Sequence, residues 1–450
     1  MSGGGPGERA KSEDGGTAMT AILARRPVRE ATELARTTPG VLTGFLLALV
    51  AVALLSGMFT GLGLLSRANA LDALATRSGP LTAASEEIYR SLSDADATAN
   101  GAFLSGGLEP AATRQRYEAD IAQAGNTLAI AVAAREPADV TAPGSPLETL
   151  STRLPVYTGL VETARADNRQ GLPLGAAYQR EASNLMRTQL LPAAQALYQG
   201  QSDQLTADQD AAGSVPWLQI AFALVVVALL VAAQVYLRRH TNRVFNAGLL
   251  IATAAAVVSL LWVLVATLAA SGDVRDSRDA GSAQAATLAK ARIATLNARA
   301  DETLTLVARG AGSAYQDDYV KLSGSLRTLL DSARTAATDS AVARDVAAAA
   351  TDTDAWGKAH TAIRSADDSG DYTTAVRLAI EPVPDGAVPA FDQLDAALGS
   401  ATGRTRATFD QKVTDASGAL AGTVASVTVL AVIGAAASAA GIWRRLKDYR

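Results

Sequence analysis

The stretch VLTGFLLALVAVALLSGMFTGLGLLS, residues 41–66, contains no Asp, Glu, Lys, Arg or His. Three further windows share this property: AAGSVPWLQIAFALVVVALLVAAQVYL (211–237), VFNAGLLIATAAAVVSLLWVLVATLAASG (244–272) and ASGALAGTVASVTVLAVIGAAASAAGIW (416–443). A helix needs roughly 20 apolar residues to cross the hydrocarbon core of a bilayer, and each window is long enough. The sequence therefore predicts an all-α membrane protein with four transmembrane helices, at 41–65, 215–237, 247–270 and 419–443.

Basic residues flank these windows in the short segments of the chain. They lie before the first span (Arg25, Arg26, Arg29 and Arg36), in the turn 238–246 (Arg238, Arg239 and Arg243) and in the tail 444–450 (Arg444, Arg445, Lys447 and Arg450). Because cytoplasmic loops carry an excess of Lys and Arg, both termini and the turn are predicted to face the cytoplasm. Arginine outnumbers lysine 34 to 6, a composition that favours a bacterial membrane. The tail 1–40 opens with SGGGPGERAKSEDGG and is predicted to be largely disordered.

The two long segments between the spans, 66–214 and 271–418, are predicted to lie outside the cell as helical bundles. In the first, apolar residues recur at spacings of three and four, which marks one buried helix face: Ile88, Leu92, Ala95, Ala99 and Ala102, then Tyr117, Ile121, Ala124, Leu128 and Ala131. Breaks at 105–110, 137–146 and 171–173 divide this segment into four helices. The second segment is predicted to form helices near 274–309, 313–336, 340–367 and 387–417.

The two long segments also resemble each other. An offset of 205 residues places Ile88 on Ile293 and Asp96 on Asp301, and the apolar face is carried over with them. The sequence therefore predicts an internal duplication, with two tandem four-helix bundles. Neither segment contains cysteine, so each must be stable by packing alone.

Sequence motifs of catalysis and cofactor binding are absent. The sequence contains no phosphate-binding loop, nucleophile elbow, zinc-binding helix or dinucleotide fingerprint, and its two histidines, His240 and His360, are far apart. The spans carry no ionisable residue, which argues against a coupled transporter. We therefore expect no enzymatic activity, no cofactor and no metal. The outer segments are acidic overall, so we expect membrane lipid around the spans and no nucleic acid as a partner.

Polar residues recur at related positions of the two segments. They are Asp94, Asp96 and Thr98 in the first segment and Arg299, Asp301, Glu302 and Thr303 in the second. Such residues most often form a solvated helix face, which we expect here; the alternative is a contact site for a ligand or partner. On the inner side a candidate relay surface consists of Arg238, Arg239, His240, Arg243, Arg444, Arg445 and Lys447, whose simpler role is to set the topology.

Two spans that flank a four-helix bundle form the layout of bacterial chemoreceptor sensor domains, and here the layout occurs twice. Together with LSDADATANGAFLSGG (92–107) and RYEADIAQAGNTL (116–128), it resembles the GlnX-like family of four-span actinobacterial membrane proteins. The resemblance implies a signal relay. In that family a glutamine-binding-protein-like lipoprotein senses external aspartate or glutamate. The membrane protein then relays the ligand-bound state of the lipoprotein to a soluble serine/threonine kinase, protein kinase G. No site residue is carried over.

The function we expect is therefore a non-enzymatic relay of an extracytoplasmic amino-acid signal to a cytoplasmic kinase. The inner segments in this sequence are short and basic, so the output would come from another protein. Two other functions stay open. A chemoreceptor-like sensor would bind a small ligand directly between its helices, and a structural or transport-accessory protein would co-purify with permease subunits.

We predict that a reporter enzyme active only outside the cytoplasm gives no signal when it is fused after His240 and a strong signal when it is fused after Leu150. The basic residues around the turn hold it on the inner side, whereas Leu150 lies in an outer segment. The measurement is reporter activity in intact cells, normalised to the amount of fusion protein. Activity at His240 would contradict the predicted orientation.

Overall fold

The computed structural model describes residues 38–106, 109–135, 140, 142–241 and 246–447. Within these ranges the secondary structure is helical, and no β-strand occurs. The predicted tail lies outside them up to residue 37, as do residues 242–245 of the predicted turn.

Fourteen α-helices occur in the described residues. In chain order they are α1 (Thr38–Ala73), α2 (Gly79–Leu104), α3 (Ala111–Ala133), α4 (Pro146–Arg169), α5 (Leu174–Leu185), α6 (Leu191–Gly213), α7 (Trp217–Thr241), α8 (Ala247–Asp276), α9 (Ala283–Val307), α10 (Ser313–Ala336), α11 (Ser340–Asp368), α12 (Tyr372–Ile380), α13 (Ala387–Leu420) and α14 (Thr423–Lys447). Three π-helical turns connect consecutive helices, at Leu74–Ser78, Met186–Leu190 and Ser277–Ser282.

The chain divides into two compact units. We call residues 1–66, 216–267 and 420–450 the span unit. The other unit, the bundle unit, consists of a first segment, residues 67–215, and a second segment, residues 268–419. Four helical stretches are long and apolar enough to cross a membrane, which confirms the predicted all-α fold with four candidate spans.

The span unit exposes an unusually apolar surface. Leu47, Leu218 and Val265 are each more than 60% exposed, as expected for side chains that face lipid. Inside the unit, Leu49 packs with apolar residues of α7 and α8. Small residues allow close approach between helices: a Cβ atom added to Gly57 would lie only 2.7 Å from the Cβ atom of Ala431 in α14.

Each segment of the bundle unit has its own apolar core. The core of the first segment includes Leu128, Leu150 and Tyr157, and the core of the second includes Leu330 and Trp356. The sequence predicts two separate bundles, but both segments belong to one compact unit. The reason is that α2 and α9 pack against each other as well as against their own segments.

Helix α12 was not predicted from the sequence, which indicated no helix between those at 340–367 and 387–417. Asp371 caps α12, because its carboxylate accepts a hydrogen bond of 3.1 Å from the backbone N–H of Thr374. With nine residues, α12 is too short to show a clear helical repeat in its apolar residues. The other helices of the second segment begin and end within a few residues of the predicted positions, except that α9 is preceded by a π-helical turn.

A π-helical turn stands before the first long helix of each segment, at Leu74–Ser78 before α2 and at Ser277–Ser282 before α9. A duplication of one ancestral segment would place the turn at the same position in both segments. The duplication itself stays a prediction.

We predict that Leu330→Asp destabilises the protein strongly, because Leu330 is only 3% exposed in the core of the second segment and a carboxylate there would have no partner. The cost is several kcal/mol, which corresponds to a fall of roughly 10 °C in the thermal unfolding midpoint of a domain this size. Val320→Asp on the same helix is the control, because Val320 is 58% exposed. Equal midpoints for the two variants would show that α10 packs through another face.

Candidate functional site

The polar residues singled out in the sequence lie on α2 and α9, the two central helices of the bundle unit. Asp94 and Asp96 are two positions apart on α2, so they point to different sides of the helix. The same holds for Arg299 and Asp301 on α9. We call the contact between the two segments along α2 and α9 the seam.

The expected solvated helix face does not exist. Asp94 is 5% exposed, Asp96 2%, and Asp301 and Glu302 1% each, and Arg299 and Thr303 are also buried. Thr98 is half-buried. The prediction was wrong because each central helix is covered by its own segment on one side and by the other segment on the opposite side. Polar residues on such a helix meet partners from neighbouring helices instead of water.

Asp96 is held by neutral hydrogen-bond donors of its own segment. Its Oδ1 atom accepts hydrogen bonds from the hydroxyls of Tyr157 (3.2 Å) and Ser183 (2.9 Å), and Asn100 donates to Oδ2 (3.2 Å). Gln179 extends the network by donating to Asn100. Burial raises the pKa of Asp96 to about 6, although these hydrogen bonds and the charge of Arg187 oppose the rise.

Arg187 joins the two segments through a shared ion pair. It lies in the π-helical turn Met186–Leu190 of the first segment, and its guanidinium binds both Asp301 and, at 3.0 Å, Asp318 of the second segment. Burial raises the pKa of Asp301 to about 7 against the charge of Arg187. The second carboxylate oxygen of Asp301 has no hydrogen-bond partner among the described residues. The side chains of Asp96, Arg187 and Asp318 line one cleft of about 270 Å³.

Glu302 forms the centre of a buried network inside the second segment. Its carboxylate pairs with Arg299, accepts a hydrogen bond from the indole N–H of Trp356 (3.3 Å) and lies 2.9 Å from Nδ1 of His360. Burial alone would raise the pKa of Glu302, but the hydrogen bond with His360 and the charge of Arg299 outweigh it, so the pKa lies below its usual value. The His360 ring stacks on Tyr319 at 3.5 Å between centroids. His360 therefore has a structural partner that the sequence did not reveal.

Asp94 pairs with two arginines of the first segment. Arg116 on α3 donates to both carboxylate oxygens, at 2.9 and 3.2 Å from Nη2, and Arg90 lies 3.6 Å away. Asp120, which lies 3.7 Å from Arg90, shares this cluster. Burial and the neighbouring charge of Asp94 raise the pKa of Asp120 to about 8.

A second cleft, of about 400 Å³, opens between the segments beside Asp94. We call it the Arg116 cleft, because Arg116 of the first segment and Asp392 of the second approach to 3.5 Å within it. Asp94, Thr98 and Arg299 also line this cleft. Of the candidate residues, Asp96 lines the cleft on the Arg187 side, and Asp94, Thr98 and Arg299 line the Arg116 cleft. Asp301, Glu302 and Thr303 line neither cleft.

Four residues that line the two clefts were not found from the sequence: Arg116, Arg187, Asp318 and Asp392. They lie on helices other than α2 and α9, and their partners are distant in sequence; Arg187 and Asp301 are 114 residues apart. The only local signal was that Arg116 belongs to the stretch RYEADIAQAGNTL that carries the family resemblance.

The candidate relay surface lies mostly outside the described residues. Arg238 and Arg239 are exposed in the last turn of α7. Arg243 lies outside the described ranges, as do the side chains of His240, Arg444, Arg445 and Lys447. In the part of the chain that the structure describes, no group of three or more His, Asp or Glu residues is placed to hold a metal ion.

Residues 70–210 match the family model of the actinobacterial sensor domain. The match spans the first segment, including Asp94, Asp96, Arg116 and Arg187. With the four apolar helices, it supports a role as an actinobacterial membrane sensor. No curated protein and no solved structure gives a significant match to the chain.

We predict that Asp96→Asn weakens the pH dependence of stability. The folded state keeps a proton on Asp96 up to about pH 6, whereas an unfolded chain releases it near pH 4. Stability from this group is therefore fully present below pH 4 and is lost as the pH rises to about 6. The loss is roughly 3 kcal/mol, at about 1.4 kcal/mol per pH unit.

The measurement is the thermal unfolding midpoint of the full-length protein in detergent at pH 4.5 and pH 7.5. Asp203→Asn is the control, because Asp203 is exposed on α6 and should leave the pH dependence unchanged. If Asp96→Asn and the wild type lose the same stability between the two pH values, Asp96 is ionised in the folded state.

Proposed function

We propose that this protein is a non-enzymatic transmembrane relay that passes an extracytoplasmic amino-acid signal to a cytoplasmic kinase. The sensor-domain match over residues 70–210 supports the sensing role. The nature of the signal and the kinase follow only from the resemblance to GlnX-like proteins. The structure of the seam suggests how a signal would change the protein.

The observation that carries this proposal is that the two segments have distinct apolar cores, which touch the opposite segment at Leu104 and Ile293, and are joined by several ion pairs. The cross-segment pairs include Arg406 with Glu86 at 2.7 Å and Arg278 with Asp210 at 2.8 Å, in addition to Arg187 with Asp301 and Asp318 and Arg116 with Asp392. Each pair joins a residue of one segment to a residue of the other. Charges of both signs therefore hold the segments together at several points.

An ionic seam suits a two-state element better than an apolar one. Largely exposed ion pairs, such as Arg278 with Asp210 and Arg116 with Asp392, add roughly 0 to 1 kcal/mol each. For the pair of Arg187 with the buried Asp301, the cost of desolvation offsets much of the attraction. Each segment can keep its own core while the pairs in the seam exchange partners. Allosteric couplings are typically only about 1 to 3 kcal/mol, which is within the range of one such exchange.

Two continuous helices could carry a shift at the seam to the span unit. Helix α1 runs through the boundary between the units at Ser66, and α8 runs through the boundary at Thr267. The other two connections are interrupted, by the break at Ser214–Pro216 between α6 and α7 and by Gly422 between α13 and α14. We propose that small shifts of α2 and α9 pass along α1 and α8, since helix shifts of 1–2 Å are common in signalling proteins.

On the inner side the kinase would bind the basic residues that flank the spans. Arg238 and Arg239 are exposed, as such a contact requires. Arginine suits this role because its planar guanidinium binds carboxylates through two hydrogen bonds. The signal would arrive either on a solute-binding lipoprotein docked on the bundle unit or as a small ligand bound directly. The presence of two clefts between the segments favours direct binding as the second candidate.

We predict that Arg187→Ala inserts into the membrane normally but abolishes the response of the kinase to external amino acids. The change removes the guanidinium that Asp301 and Asp318 share and so destroys one state of the seam. The measurement is phosphorylation of the kinase's substrates before and after amino acids are added to cells that carry only the variant. Arg180→Ala is the control, because Arg180 is exposed on α5 of the same segment.

Two results would contradict the proposal. A full response in cells that lack the protein would exclude the relay. A full response with Arg187→Ala would show that the seam is not the switching element.

A further inference from the structure

The Arg116 cleft contains unused hydrogen-bonding groups from both segments. The Nε and Nη2 atoms of Arg116 donate hydrogen bonds to Asp94, but its Nη1 atom makes no hydrogen bond to any described residue. Oδ1 of Asp392 lies 3.5 Å from Nη1, which is too far for a good hydrogen bond. In the part of the chain that the structure describes, Asp392 has no other ionic partner, and its side chain is 53% exposed.

The hydroxyl of Thr98 is also free among the described residues. Many threonines on these helices donate to the carbonyl four residues earlier, as Thr127 and Thr163 do, but no such bond is formed by Thr98. Thr98 lines the cleft beside Arg116. The first segment thus offers two donors, the guanidinium N–H groups and the hydroxyl, on one side of the cleft.

The remainder of the cleft wall is largely apolar. Ile380, Pro382, Val388 and Phe391 of the second segment line it. The second guanidinium in the wall, that of Arg299, is already occupied, because it pairs with Glu302 and donates to the carbonyl of Ala379 at 2.6 Å. The cleft therefore offers one unused N–H donor, on a guanidinium that is already paired with Asp94, together with one weakly held carboxylate and an apolar surface. Its volume of about 400 Å³ is within the range of small-ligand sites.

We propose that the Arg116 cleft binds a zwitterionic α-amino acid with an apolar side chain. The carboxylate of the ligand accepts hydrogen bonds from Nη1 of Arg116 and from the hydroxyl of Thr98. Its ammonium group pairs with Asp392, and its side chain packs against Val388 and Phe391. Acidic amino acids are disfavoured, because Asp392 repels a second carboxylate. The two guanidiniums that line the cleft among the described residues, those of Arg116 and Arg299, already have carboxylate partners.

Such a ligand would replace the long contact between Arg116 and Asp392 by two shorter ones that connect the segments through the ligand. This inference rests on the proposed function, in that it names the ligand class of the sensor. Binding would bring the two segments closer together beside the Arg116 cleft. Because the ligand then contacts both segments in one arrangement and not in the other, it can shift the equilibrium between the two arrangements. A ligand bound equally well in both states would shift nothing.

The test is binding of L-leucine to the purified full-length protein in lipid nanodiscs, measured by calorimetry. We expect saturable binding at one site, binding at least tenfold weaker for Asp392→Asn, and no binding of N-acetyl-L-leucine, which lacks the ammonium group, or of L-leucinamide, which lacks the carboxylate. Asp385→Asn is the control, because Asp385 is exposed in the loop before α13. L-Glutamate should bind at least tenfold more weakly than L-leucine.

Thr98→Val is the second variant and should also weaken L-leucine binding, since valine keeps the shape of threonine but lacks its hydroxyl. Thermal unfolding midpoints show whether each variant is folded. If neither L-leucine nor L-valine binds, or if Asp392→Asn and Thr98→Val bind L-leucine as the wild type does, the proposed site is wrong. If the kinase response still requires the protein in that case, the relay proposal holds and the signal arrives on a lipoprotein. Binding without a kinase response would instead support the cleft and contradict the relay.

Discussion

The guanidinium of Arg187 joins the two segments, because Asp301 and Asp318 of the second segment share it and Asp301 is almost fully buried. Removal of Arg187 would leave the carboxylate of Asp301 without a charged partner in a poorly solvated place. The π-helical turn around Arg187 interrupts the regular spacing of side chains along the helix between α5 and α6. Such turns occur often at functional sites, and here one carries the residue that links the segments.

The apolar cores determine which parts of the bundle unit are rigid. Leu128 and Leu150 belong to one core and Leu330 and Trp356 to the other, and close packing makes each core costly to rearrange. The polar network of Asp96 and that of Glu302 lie next to these cores and satisfy most of their hydrogen bonds within their own segments. The ion pairs of the seam are different, because their partners come from opposite segments. Changes in packing are therefore expected at the seam before they occur inside either segment.

Much of the fold follows from the sequence. The spans are evident because the hydrocarbon core excludes charge, and α10 and α11 begin where turn residues break a helical repeat. Helix α12 was missed because nine residues are too few for a clear repeat. The site was predicted only in part: Asp96 and Asp301 were found by their related positions, but their burial was not. Burial depends on the helices that surround α2 and α9, and the pattern of a single helix carries no information about neighbours distant in sequence.

The central claim is that the two segments move relative to each other at the seam while each remains intact. The sequence contains no cysteine, so spin labels can be placed on introduced cysteines alone. Ile130 and Val320 are exposed residues of the first and second segments, and Ala350 is an exposed residue of the second. The decisive measurement uses pulsed electron paramagnetic resonance to determine the distances between pairs of spin labels in the full-length protein. It is made with Arg187 intact and with Arg187→Ala. The account predicts that the distance from residue 130 to residue 320 changes with Arg187→Ala while the distance from 320 to 350 does not. An unchanged distance from 130 to 320 would contradict it.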